Sequence, residues 1–293
     1  MTTAALPAFL VEAIFYIVAG FEQTRTWLTR INSRRSQAGI LWISALLPYI
    51  IFSLSAGTFQ PNAFRLQALL VAVLAFWYAV LPRRWAFDAG FLIIGAAPIV
   101  LRVFHRIYRP PEGNFPIDIL GHLMWIRVGV IVLLVFRQWN PGAFSFWPNW
   151  AEWKIGFLYY LLVLIPTIAL ALGIHDVRFA PLHGEWWRIA GVAIGTFFGF
   201  LWVVVLGEEL FFRGVIERAM LNEWRSPILA VVASAAIFGG VHLWFHGFPN
   251  WRRAMVVGVL GIACGAAYAR SGSVRAPMVT HAFVITSWKV FFK

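Results

Sequence analysis

Apolar runs of membrane-spanning length recur along this chain, and short arginine-bearing loops separate them. A helix that crosses the hydrocarbon layer needs about 20 mostly apolar residues. The runs Ala38–Gly57, Leu66–Leu81, Phe87–Phe104, Ile117–Phe136, Ile155–Ile174, Ile189–Leu206, Pro227–Phe245, Ala254–Ala269 and Pro277–Phe292 approach or reach that length. Leu6–Gly20 is a weaker tenth, interrupted by Pro7 and Glu12. With 61% hydrophobic and 12% charged residues, the chain has too little polar surface to cover a soluble globule. The fold class expected is all-α integral membrane, a polytopic bundle of about 8–10 transmembrane helices.

The net charge is +12, but its placement argues against nucleic acid as a partner. Arg25, Arg30, Arg34 and Arg35 precede one apolar run, Arg83 and Arg84 another, and Arg252 and Arg253 a third. Cations in such loops meet anionic headgroups and fix orientation, so membrane lipids are the partner they imply. The first of these loops carries four arginines against none before it, which puts Arg25–Arg35 in the cytoplasm. On the same count the segment starting at Gly207 faces the cytoplasm. Trp85, Trp139, Trp147, Trp150, Trp186, Trp187 and Trp251 stand beside loops, as interfacial aromatics do.

The polar and aromatic stretch Asn140–Glu152 is the expected seam between two halves, residues 1–150 and residues 151–293. In the second half, Glu208-Glu209-Leu210-Phe211-Phe212-Arg213 stands at the end of the apolar run Ile189–Leu206. Residues four apart share a helix face, so Glu209 pairs with Arg213, and Glu217 extends the ladder. Glu208 lies about 100° round the helix, beside Phe211 and Phe212, with no evident cation. A juxtamembrane charge cluster accounts for this pattern as well as a general base does. Phe238-Gly239-Gly240-Val241-His242 on the next run, and His281 on the last, turn the balance toward chemistry. A glutamate with histidine partners can deprotonate a water and stabilise the oxyanion formed at an amide carbonyl.

Glu208-Glu209-x-x-x-Arg213, Phe238-x-x-x-His242 and His281, in this order on successive helices, resemble the motifs of the CPBP family of intramembrane proteases. That family includes the CAAX prenyl endopeptidases and the bacterial Abi-type proteins, and the likeness covers roughly the last hundred residues. It implies a C-terminal CAAX-type glutamic intramembrane protease domain that cuts a membrane-tethered polypeptide. The expected location is the bacterial inner membrane. In the family's arrangement Glu208 activates water with help from His242, Arg213 holds Glu209, and His281 stabilises the oxyanion. Phe238 and Trp288 complete the candidate set as substrate-binding residues. Four residues after His281 the family usually has Asn or Asp, and this chain has Ile285, which cannot donate a hydrogen bond. Trp288, two turns after His281, offers an N–H in its place.

His242 and His246 have the spacing of a helical zinc pair, which Glu208 or His281 could complete. The residue after His242 is Leu243, not the glutamate of a zincin motif. Two neutral histidines suffice for the roles above, so no metal or other cofactor is expected. Two rival readings are an inactive relative serving as a membrane scaffold or immunity-type binding partner, and a transporter with Arg127, Asp118 and Glu12 along its pathway. Arg127 and Glu12 also suit ion pairs between helices. A transporter would show an internal repeat, and none is visible. The stripe Gly191-x-x-x-Gly195-x-x-x-Gly199 predicts a close helix contact, as do Gly258, Gly261 and Gly265. Ser234 and Cys264 have no base within sequence reach and receive no nucleophilic role.

Overall fold

A computed structural model describes residues 4–31, 33–109, 117–244 and 247–293. Among them no β-strand occurs, only the isolated bridges Ala143–Ser273 and Phe179–Phe292. The chain divides into two compact units, one ending at Trp139 and the other starting at Asn140.

The first unit runs through α1 (Leu6–Ala19), α2 (Glu22–Thr29), α3 (Arg34–Ser55), α4 (Pro61–Val80), α5 (Trp85–Val100), α6 (Val103–Ile107) and α7 (Ile119–Phe136). Ser33 caps α3 by accepting from Arg35 N, and Pro61 opens α4, where its missing N–H costs nothing. Helices α3 and α7 pack on each other, with α1 and α4 each touching both. Arg127 on α7 joins three of these helices. Its Nε and Nη2 donate to the two Glu12 oxygens at 2.8 and 3.0 Å, and its Nη1 donates to Ser44 Oγ at 3.0 Å. The guanidinium also lies over the Phe15 ring, 5.1 Å from its centroid. The two intramembrane charges therefore satisfy each other, the structural alternative of the sequence reading.

The second unit contains α8 (Trp150–Gly173), α9 (Trp186–Glu223), α10 (Pro227–Trp244), α11 (Trp251–Ser271) and α12 (Arg275–Phe291). Asn149 and Glu152 form a reciprocal capping box at the start of α8. Helices α8, α11 and α12 pack mutually, α10 lies along α11, and α9 contacts both α11 and α12. The stretch leading into α8 belongs to this unit: Tyr268 Oη donates to Pro141 O at 2.9 Å, and Arg275 Nη1 to Ser145 Oγ at 2.7 Å.

Helices α3, α4, α7, α8, α9, α10 and α11 are long and apolar enough to cross a membrane. An eighth span results if α1 and α2, bent 84° apart, count as one. The candidate Phe87–Phe104 breaks at Arg102, whose φ of 52° ends the helical run, and α12 has 17 residues. The protein is an all-α, multi-pass integral membrane protein. Trp85, Trp150, Trp186 and Trp251 are the first residues of α5, α8, α9 and α11, and all four are exposed, as interfacial anchors are.

Two sequence expectations need correction. The span expected to end at Leu206 runs on past the acid pair, because α9 covers 38 residues from Trp186 to Glu223. The stripe Gly191, Gly195 and Gly199 makes no close contact: a Cβ added at any of the three meets nothing within 4 Å. Small side chains permit close approach but do not supply a neighbour. The close approach lies between α10 and α11. A Cβ on Gly239 would come within 2.6 Å of Ala254 O and 3.1 Å of Gly258 Cα, and one on Gly261 within 3.0 Å of Ala235 Cα.

Candidate active site

Helix α9 carries the acid pair next to a departure from α-geometry. Phe200–Val204 and Leu210–Glu217 are wound as π-helix, a form that concentrates at functional sites. Wider winding leaves backbone carbonyls short of their usual partners, and one of them, Phe212 O, accepts from Ser234 Oγ of α10 at 3.2 Å. Ser234 therefore ties the irregular turn to the neighbouring helix.

The pairing read from spacing is present. Arg213 Nε lies 3.2 Å from Glu209 Oε2, with both side chains fully buried. Arg213 Nη2 donates to Gly261 O of α11 at 3.0 Å, and the guanidinium lies 4.5 Å from the centroid of the Phe238 ring. The ladder does not continue as an ion pair to Glu217. That carboxylate is buried with no hydrogen-bond partner among the described residues, and it packs where a Cβ on Gly265 would reach, 2.7 Å from Oε2.

His281 of α12 joins the two acids. Its Nδ1 is 2.7 Å from Glu209 Oε1, and its Nε2 is 3.8 Å from Glu208 Oε2. Donation from Nδ1–H to a carboxylate fixes the ring's orientation and turns Nε2 toward Glu208. The acids differ in access, the Glu208 side chain being 31% exposed and that of Glu209 fully buried. Glu208 is the accessible carboxylate of the two.

Phe238 is the packing centre of the cluster and is fully buried. It meets Phe212, His242 and His281 edge to face, at centroid distances of 4.8, 5.0 and 5.6 Å. These contacts suit a residue that positions its neighbours better than one that lines a substrate wall. His242 begins a short 3-10 turn at the end of α10, with its Nδ1 2.8 Å from Phe238 O. Donation to that carbonyl leaves the Nε2 lone pair as the ring's acceptor. His246 lies outside the described residues.

The remaining candidates fall nearby on α11 and α12. Trp288 packs against a cluster of Val163, Leu260, Ala263, Cys264 and Val284. Its indole N–H is buried with no hydrogen-bond partner among the described residues. Cys264, given no role on sequence grounds, comes close to Glu209 and His281. The buried face Leu260, Gly261, Cys264, Gly265 and Tyr268 of α11 was the available signal, and it reads equally well as packing.

With this geometry in place, residues 189–286 match the family model described as type II CAAX prenyl endopeptidase Rce1-like. This region is similar to the Rce1-like family. It agrees with the CPBP resemblance, and it takes in Glu208, Glu209, Arg213, Phe238, His242 and His281 while ending before Trp288. That family is of the CAAX protease kind, and the match suggests intramembrane endopeptidase activity for this region. No curated protein and no solved structure matches the chain.

Proposed function

We propose that the Rce1-like region is a glutamic intramembrane endopeptidase that needs no metal for hydrolysis. The observation that carries this reading is the unequal pair of acids around one histidine: Glu208 partly exposed, Glu209 sealed against Arg213, and His281 between them. Glu208 takes a proton from water, and His242 Nε2 orients that water by accepting its other hydrogen. The hydroxide attacks the peptide carbonyl carbon. The resulting oxyanion accepts from the Trp288 N–H, in place of the side-chain donor that Ile285 lacks, while His281 donates to Glu209 and holds that acid beside the site. Glu208 then returns its proton to the departing amine, so the carbon–nitrogen bond breaks and the base is regenerated.

The substrate is a membrane-tethered polypeptide, and prenylated CAAX tails are the class that the family description names.

Terminal-peptide mapping of membranes from cells carrying wild type or Glu208→Gln tests the reading. A membrane-attached precursor clipped only by wild type is the expected result. Identical termini at equal expression would end the hydrolytic assignment. Ile285 would then favour a scaffold or immunity-type binding partner.

A further inference from the structure

Cys264 is the only cysteine in the chain, and it lies fully buried on α11. Its Sγ, a ring nitrogen of His281 and a carboxylate oxygen of Glu209 all lie within 4.8 Å of one another. These donors come from three different helices, and none of the hydrolytic roles above uses the sulfur. Its thiol donates a long hydrogen bond, 3.9 Å to Pro277 O. Glu209 Oε2 is buried and makes no hydrogen bond among the described residues, although it faces Arg213 Nε at 3.2 Å.

We propose that Glu209, Cys264 and His281 form a binding site for a soft divalent ion such as zinc or cadmium. Zinc takes sulfur at about 2.3 Å and nitrogen or oxygen at about 2.0–2.2 Å. Tetrahedral donors at those lengths stand roughly 3.5 Å apart, so side-chain shifts of about 1 Å close the set. Binding exchanges the thiol proton for the metal–sulfur bond and releases that proton. Thiolate and carboxylate then offset the ion's two charges, and Arg213 leaves the site one charge positive. Glu208 is placed to offset that charge, with its Oε2 3.8 Å from His281 Nε2, and its partly exposed side chain marks the route in. The consequence for turnover rests on the hydrolytic reading above. An ion here holds Glu209 and His281 away from their catalytic geometry, so occupancy and hydrolysis exclude each other.

Cadmium titration of the purified full-length protein in detergent tests the site without substrate. The thiolate-to-cadmium charge-transfer band in the ultraviolet reports on Cys264 alone, because there is no second sulfhydryl. The expected result is one ion per chain, with apparent affinity at least about 10-fold weaker in Glu209→Gln and in His281→Asn. Either folded variant suffices if the other fails to fold. His242→Asn leaves the affinity unchanged. A band of equal affinity in Glu209→Gln and His281→Asn, or one weakened equally by His242→Asn, overturns the ligand set. A protein that binds cadmium in this way yet clips no precursor keeps the site and loses the hydrolytic reading. The reverse pattern does the opposite.

Discussion

His281 Nδ1 donates to Glu209 Oε1 across 2.7 Å, a buried bond between helices far apart in the chain. Glu209 is itself fixed by Arg213, so the imidazole inherits its orientation from an ion pair on α9. Acid, cation and histidine are coupled. A change in one should reach the water-activating side through the ring.

Coupling of this kind predicts non-additive kinetics. Glu208→Gln and His281→Ala should each lower kcat by about 10²–10⁴-fold, the range for a positioned acid–base group. The double variant should lose no more than the stronger single one, as residues acting as a unit do. Steady-state assays on a cleaved precursor check this, and losses that multiply would separate the two roles.

Removing Arg213 strands a carboxylate in a fully buried position. Arg213→Gln is expected to cost about 3–5 kcal/mol of stability, the usual result when one partner of a buried pair is deleted. Arg127→Met should cost a similar amount by stranding Glu12, while Arg127→Met with Glu12→Gln should recover most of the loss. Unfolding in mixed micelles measures each, and an unrecovered double variant would give Arg127 a role beyond pairing.

The two sets of glycines should respond oppositely. Gly265→Ala places a methyl group 2.7 Å from Glu217 Oε2 and 2.9 Å from Val231 Cγ1, so a loss of about 1–3 kcal/mol is expected from overpacking. Gly195→Ala meets open space and should be neutral or gain up to about 1 kcal/mol of helix propensity. Thermal unfolding of the two variants side by side decides the matter.

Trp288→Phe keeps the ring against the Leu260 and Cys264 cluster and deletes only the N–H. If that N–H holds the oxyanion, kcat falls about 10²-fold with KM little changed. Adding Ile285→Asn to this variant should restore part of the loss by returning a donor to α12. An unchanged kcat in Trp288→Phe would remove the indole from the mechanism.

The spacing of Glu209 and Arg213 foretold their contact, because a helical face fixes which side chains meet. The helix around them was harder to read. Hydropathy ends the run at Leu206, where charges begin, yet the pair neutralises itself and Phe211 and Phe212 keep the surroundings apolar, so α9 continues. The glycine stripes of α9 and α11 have similar patterns, and only the neighbouring helix distinguishes an open groove from a tight seam. Cys264 was invisible as a site member for the same reason: its partners lie on α9 and α12, and sequence distance conceals them.

The π-wound turn from Leu210 to Glu217 also governs register. Each residue of an α-helix advances the side chains by about 100°. Rewinding this turn to ordinary α-geometry without removing a residue would rotate everything on its N-terminal side relative to Glu217. The chain would keep its composition, span length and all its acids and histidines, but Glu208 would face a different neighbour. Selection on this protein would then act on the number of residues in one turn as firmly as on their identity.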